Sequence, residues 1–330
     1  METSVLLHHK YGKPEDEICL STYELPSLEP NQVVVDMLYA AVNPADLNML
    51  EGTYYVQPEL PCILGNEGVG TVSERGDKVS AFKTGDRVIM PFNSKDNWVG
   101  FWSEKFVVAE SQLIKVPKGI SDDQAAMLTI NPVTAYQLLT RFVDLNEGDT
   151  IVQNGANSVV GRWVIQFAKQ MGLKTINVVR RDALKDELIA IGADVVLIDG
   201  PDVHKAIKEA SSDISLALNM VGGTSATQLA KSLKNDGVMV TYGAMSKEPV
   251  TISNGAYIYK NIWLTGFNRT KWVEEAPAEE VKAAYQAVFK MIELAKMDVP
   301  IEKIYPFDQA SIAIQHAAKE KRHGKILLQS

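Results

Sequence analysis

The stretch Asp149-Thr-Ile-Val-Gln-Asn-Gly-Ala-Asn-Ser-Val-Val-Gly161 reads as a strand, a tight loop and the opening of a helix. A helix N-terminus offers free N–H groups to an anion, and glycine lets the backbone come close to it. The glycine pattern is incomplete: Gly155 and Gly161 are present, but Val159 fills a place where a third glycine is common. An ordinary strand-to-helix turn has much the same appearance, so the loop alone does not fix a nucleotide site. The following strand adds a second signal. It ends in Val179-Arg180-Arg181, about twenty residues past Gly161, where NAD enzymes carry an acidic residue for the ribose 2′-hydroxyl and an arginine accommodates a 2′-phosphate. A planar, permanently charged guanidinium suits a phosphate dianion. Two solvated arginines at a strand end are the plainer explanation. Asp182 comes one or two places too late for the ribose, so the pattern favours NADP over NAD.

Working outward, the chain changes character near residue 120. After it, strands alternate with helix-length stretches: Thr150–Gln153, a helix over Gly161–Met171, Thr175–Val179, a helix over Ala183–Ile191, then strands at Asp194–Ile198, Leu216–Met220 and Gly237–Tyr242. That rhythm implies a parallel, doubly wound sheet in an α/β fold. Ala278–Ala295 is a further helical stretch, and Lys325-Ile-Leu-Leu328 reads as a last strand. Before residue 120, short β-branched runs such as Val33–Val35, Gly70–Val72, Arg87–Met90 and Phe106–Val108 are separated by Gly, Pro, Asn and Asp. Such spacing suggests an all-β barrel or sandwich.

The 330 residues, 46% of them hydrophobic, suffice for two cores of ordinary size. A net charge of −8 argues against a nucleic-acid partner, and the basic run Lys319-Glu-Lys-Arg-His323 reads as a solvated helix end. Two cysteines, Cys19 and Cys62, allow neither a disulfide framework nor an all-cysteine zinc site. No run approaches the roughly 20 apolar residues of a membrane span. Met1–His9 has no secretory or Arg-rich transit character. These features fit a soluble, cytoplasmic-type protein, and a processed mitochondrial form would look the same.

Several stretches together resemble the medium-chain dehydrogenase/reductase superfamily: Ala41-Val-Asn-Pro-Ala-Asp46, Gly65-Asn-Glu-Gly68, Lys83-Thr-Gly-Asp-Arg-Val88, Asn131-Pro-Val-Thr-Ala-Tyr136 and Gly324-Lys-Ile326. Within it, the chain is most similar to the mitochondrial-type 2-enoyl thioester reductases. Asn43-Pro-Ala-Asp-Leu-Asn48, Glu51-Gly-Thr-Tyr54, Pro58-Glu-Leu-Pro61, Gln153-Asn154, Asn157-Ser158, Ile176–Arg180, Asn219–Gly223 and Met239–Gly243 carry that likeness. The resemblance implies a GroES-like β-barrel catalytic domain, residues 1–120 and 296–330, with a Rossmann NADP-binding domain, 121–295, inserted in it. It also implies an active site in the cleft and a homodimer.

Zinc-dependent relatives hold their metal with a cysteine and a histidine where this chain has Asn43 and Asn66. An amide is a poor zinc ligand beside thiolate or imidazole. His8 and His9 are adjacent, so on a strand they face opposite ways and make no ligand pair. No zinc is therefore expected. A hydride donor without a metal suits an activated alkene. Hydride adds to Cβ, charge develops through Cα onto the thioester oxygen, and Cα then needs an acid. Tyr54 matches the family's proton donor, and a phenol keeps its proton at neutral pH. Its neighbour Tyr55 is the rival, or a second wall of the substrate pocket, and both tyrosines could simply line a loop.

By the same resemblance, Asn131 contacts the nicotinamide end, and Asn157, Ser158, Val159 and Val160 form the pyrophosphate turn. Tyr242, Gly243, Ala244, Met245, Phe267, Asn268, Arg269 and Thr270 line the cofactor site, and Lys325 reaches the cofactor or is a solvated edge lysine. Asn43 belongs to the substrate pocket, and Trp272 either lines it or, as buried tryptophans more often do, belongs to the core. Two departures matter: Val159 replaces a frequent glycine, and Asn268 stands where the mitochondrial-type enzymes typically carry tryptophan. Three readings remain. They are an enoyl reductase acting on acyl-CoA or acyl carrier protein thioesters, a zinc-independent NADPH:quinone or alkenal reductase, and a non-catalytic NADPH-binding, redox-sensing protein.

Overall fold

The computed structural model describes residues 1–54, 57–93, 98–319 and 322–330. It divides into two compact units, residues 1–130 with 273–330 and residues 131–272. Sequence reading had placed the helix Ala278–Ala295 with the nucleotide-binding segment, but it belongs to the first unit. There its buried Tyr285 donates its hydroxyl to the Thr129 carbonyl at 2.5 Å. An amphipathic helix shows which face it buries, not against what, so sequence could not assign it.

The second unit contains β1 (Thr150–Asn154), β2 (Lys174–Val179), β3 (Val195–Ile198), β4 (Ile214–Asn219), β5 (Val238–Thr241) and β6 (Trp263–Gly266). All pair in parallel in the order β3-β2-β1-β4-β5-β6. The sheet is covered on both faces. Successive side chains of a strand point opposite ways, and Ile176 and Val178 of β2 enter one apolar cluster while Val179 enters another. The first cluster takes Ile207 and Leu229 from the helices Val203–Ala210 and Gly223–Ser232. The second takes Ile165 and Leu188 from Val159–Gln170 and Lys185–Ala190. Strand order reverses between β1 and β4, and open sheets of this kind bind ligands at the carboxyl edge of that point. Strand β6 was not anticipated. Its four residues are all exposed, so it carries no alternating or buried pattern to read.

The first unit is built on a seven-stranded sheet centred on the long strand Gln32–Val42, flanked by Gly68–Arg75, Lys105–Ala109 and the C-terminal Lys325–Gln329. A three-stranded sheet joins Glu2–His8 to Ile18–Glu24 and Cys62–Ile63. Trp102, Phe101, Leu64 and Leu50 fill one shared apolar core. His8, the last residue of its strand, is buried, and His9 just beyond the strand is exposed. Among the described residues, no helix is long and apolar enough to cross a membrane.

Candidate functional site

In the second unit the loop after β1 has the geometry its glycines suggest. Gly155 turns the chain with φ +60, a conformation side chains disfavour. At Gly161 a Cβ would come within 2.6 Å of the Ala156 carbonyl oxygen, so only glycine lets the helix start this close to the loop. Ser158 caps that helix, its hydroxyl accepting from Gly161 N at 3.0 Å. Val159 and Val160 are its first two residues, half-buried and with no left-handed backbone to demand a glycine. The missing third glycine therefore costs the turn nothing. What changes is the side chain beside it.

This loop is tied to the one after β4 by buried amides. Asn154 Nδ2 donates to Asn219 Oδ1 at 2.9 Å and to Ser225 Oγ at 3.1 Å. Its Oδ1 accepts from Met220 N at 2.7 Å and Val221 N at 3.2 Å. Asn219 continues the chain to Thr241 on β5, and Gln153 links to Asn177 on β2. Neither Gln153 nor Asn154 has any exposed surface. Arg162, which sequence reading missed inside a helix, donates Nε to the Asn157 carbonyl at 3.2 Å and pairs with Glu187 at 2.8 Å. It braces the loop from behind.

Arg180 is exposed at the end of β2 and lines a cavity of about 420 Å³ with Asp199, Gly200, Pro201, Thr224 and Gln228. Arg181 is half-buried, outside that lining, and opens the short turn Asp182–Leu184. Asp199, Thr224 and Gln228 went unremarked in the sequence because the first follows β3 while the other two lie on the helix Gly223–Ser232, so no local run of residues joins them to Arg180. Replacing Arg180 by alanine is expected to lower the NADPH-over-NADH preference about tenfold, the scale of one charge-assisted hydrogen bond. Kd ratios from fluorescence titration check this, and an unchanged ratio transfers the role to Arg181.

After β5, Tyr242 is half-buried with its hydroxyl shielded from solvent. Burial pushes that phenol above its ordinary range, and the adjacent Ser158 side chain pulls the other way. Gly243 is half-buried, whereas Ala244 and Met245 are exposed. After β6, Phe267 is buried and meets Phe142 edge-on, ring centroids 6.1 Å apart. Asn268 is exposed and its Oδ1 accepts from Lys271 N at 2.9 Å, which caps the helix Arg269–Glu275. The departure from tryptophan thus has a local structural use. Arg269 and Thr270 are half-buried in its first turn. Trp272 is buried and 6.4 Å from the Phe267 ring. Asn131 is buried at the start of the helix Asn131–Thr140.

In the first unit the helix Pro44–Glu51 starts at Asn43 and ends at Gly52. Past that end, Thr53 N and Tyr54 N both donate to the Asn48 carbonyl, at 2.8 and 3.1 Å. Tyr54 is half-buried, packed on the barrel core, with its carbonyl held by Gln57 Nε2 at 2.8 Å. Tyr55 lies outside the described residues. At the other end of the helix, Asn43 is 4% exposed, and its amide is engaged by Glu67 and Lys325. Asn66 donates Nδ2 to Asp46 Oδ1 at 2.6 Å. Both amides at the supposed metal positions are therefore committed to side-chain partners. Burial raises the Asp46 carboxyl to about 6 despite backbone donors from Asn43 and Asn66. Lys325 is buried beside them, which a solvated edge lysine would not be. An unpaired buried ammonium costs several kcal/mol, so its partners matter. Among the described residues, no three His, Cys, Asp or Glu side chains are grouped to hold a metal.

Comparison with known proteins matches residues 29–118 to the alcohol dehydrogenase GroES-like domain and residues 159–289 to the family described as zinc-binding dehydrogenase. The mitochondrial enoyl-[acyl-carrier-protein] reductase of Dictyostelium discoideum is 39% identical over 325 residues, covering 96% of this chain and 91% of its own. The chain belongs to the enoyl thioester reductase family. Among solved structures, Etr1p in complex with NADP and crotonyl-CoA aligns with TM-score 0.90 at 29% identity over 100% of both chains. The Etr1p/Etr2p heterodimer, a mitochondrial 2-enoyl thioester reductase of Candida tropicalis, aligns with the same score and coverage. The scaffold is shared more widely. A quinone oxidoreductase of Pseudomonas syringae aligns at TM-score 0.86 and 25% identity, over 99% of this chain and 100% of its own. The matched dehydrogenase segment contains no cysteine in this member of the family, since both lie earlier, at 19 and 62.

Proposed function

We propose that this chain is an NADPH-dependent reductase of the C2=C3 double bond of trans-2-enoyl thioesters, as CoA or carrier-protein conjugates. The observation that carries this reading is the likeness to enoyl thioester reductases along both units. NADPH would supply the hydride that goes to Cβ. The loop Asn157–Val160 would hold its pyrophosphate, Arg180 its 2′-phosphate, and Asn131, Tyr242–Met245, Phe267–Thr270 and Lys325 its remaining length. The capped helix end holds Tyr54 in a fixed place from which to donate the proton that Cα requires. Asn43 and Trp272 serve as packed support, since the first is hydrogen-bonded on both sides and the second is buried. We take the reaction to run without zinc on the chemistry of the donor set, which is two engaged amides in place of a thiolate and an imidazole.

The test is NADPH oxidation with crotonyl-CoA and trans-2-decenoyl-CoA, in parallel with a 1,4-quinone and with zinc chelated. Rapid thioester reduction supports the reading. Quinone turnover with inert thioesters overturns it in favour of the quinone reductase, and NADPH binding with no turnover favours the redox-sensing protein.

A homodimer forms part of the proposal. Strand β6 pairs with β5 alone among the described residues and exposes all four of its positions, Trp263 at 63%. Ile258 and Tyr259, on the helix Asn254–Lys260 that precedes it, are 70% and 81% exposed. A bare apolar sheet edge invites pairing, and a two-fold axis would set β6 antiparallel to its own copy. Trp263→Glu is expected to halve the mass seen by light scattering while leaving NADPH binding intact. A wild type already monomeric overturns the dimer.

A further inference from the structure

The cavity beside Arg180 is lined by the second unit alone, and its wall carries one charge of each sign. Asp199 follows Ile198, which pairs with Val179, so the acid stands next to Arg180 across the β2–β3 ladder. The two make no ion pair, and no described residue accepts from the Arg180 guanidinium. Opposite charges on one wall leave its preference for an anion undecided. A neutral donor tips that balance, because it favours the anion without adding charge of its own.

Gln228 is placed to be that donor. It lies one turn after Thr224 on the helix Gly223–Ser232, and residues four apart share a helix face. Both line the cavity, and Gln228 is only 6% exposed. Its Oε1 is 2.6 Å from Nδ1 of His204, on the helix Val203–Ala210. An amide oxygen only accepts, so Nδ1 carries the hydrogen, and this bond fixes which end of the amide faces away. Gln228 Nε2 has no partner among the described residues, yet it is not one of the polar atoms sealed from solvent. The open space it reaches is the cavity that the residue lines.

We propose that Gln228 is a specificity-determining residue: positioned by His204, its amide N–H donates to the 2′-phosphate of NADPH beside Arg180. NADH has a hydroxyl at that place, which gains less from a donor than a phosphate dianion does. A reversed amide would present its oxygen instead and favour the ribose hydroxyl of NADH. His204 is a positioning residue, since it acts through Gln228. The inference rests on the reading of this cavity as the 2′-phosphate site.

Kd values for NADPH and NADH are compared by fluorescence titration. Their ratio is the readout, because general damage to the fold weakens both alike. Gln228→Met keeps the length and loses the donor, so the preference for NADPH should fall about tenfold. Gln228→Glu keeps the bond from His204 but turns a carboxylate oxygen to the cavity. Its preference should fall about tenfold further with NADH binding retained, since an acid suits the ribose hydroxyl. His204→Phe frees the amide to reverse and should lower the ratio about threefold. In the Q228M background it should change nothing more.

A wild type that prefers NADPH, with the ratio intact in Q228M and Q228E, overturns the proposal and leaves the cofactor reading standing. A ratio that rises in H204F means that the amide oxygen faced the cavity, and it overturns the proposal too. So does an H204F loss that persists in the Q228M background. A wild type that does not discriminate between the two cofactors overturns the cofactor reading, and this inference with it. Should Q228E not fold, Q228M and H204F carry the same test, with equal losses for NADPH and NADH as the overturning result.

Discussion

Tyr54→Phe is expected to lower kcat for crotonyl-CoA reduction at least about a hundredfold, the usual contribution of a positioned general acid, with NADPH affinity unchanged. That factor corresponds to about 2.7 kcal/mol of transition-state stabilisation. The substitution removes one oxygen and keeps the ring, so the packing of residue 54 on the barrel core persists. The backbone that places the ring also persists, because Thr53 N and Tyr54 N are held by the Asn48 carbonyl without help from the hydroxyl. A fall in kcat with normal melting and normal cofactor binding would therefore report lost chemistry. Tyr55→Phe is the matched control. If that variant loses the activity and Tyr54→Phe does not, the proton donor moves by one residue. If neither loses it, the proton comes from solvent and the acid assignment fails.

The alternation of strands and helices after residue 120 was legible because parallel strands buried on both faces are continuous β-branched runs, as in Thr175–Val179. The loop from Gly155 to Gly161 was legible because a left-handed turn and a close backbone approach admit little but glycine. What stayed hidden depended on distance along the chain. The Lys325 contact with Asn43 spans 282 residues, and nothing local in Gly324-Lys-Ile marks that lysine as buried. Nothing local marks Asp46 and Glu67 as interior either, yet neither has any exposed surface. Asn268 was the reverse case. Read against relatives it stands out only as a missing tryptophan, while its immediate neighbours show an asparagine in front of a helix, the ordinary place for a cap.

Asn154→Leu is the substitution expected to damage the fold most, lowering stability by about 3–5 kcal/mol, which is the cost of several buried polar groups left without partners. Leucine fills nearly the same space, so the loss comes from hydrogen bonding and not from a cavity. Ser225 Oγ loses a donor, Met220 N and Val221 N lose their acceptor, and Asn219 Oδ1 is left with the Gly222 N–H alone. They lie where strand order reverses, and Asn154 and Asn219 have no exposed surface and Ser225 little, so water replaces the amide poorly there. For a unit of this size the change corresponds to roughly a 10 °C fall in melting temperature, measured without cofactor. The same amide fixes the loop after β1 against the loop after β4, so NADPH affinity should fall with it. Asn154→Asp separates the two effects. It keeps both acceptors for the backbone N–H groups but brings a carboxylate against Asn219 Oδ1, so it should retain more stability than leucine. A leucine variant that melts within a degree or two of wild type would mean that the strands and their apolar clusters, not the amide chain, hold these two loops in register.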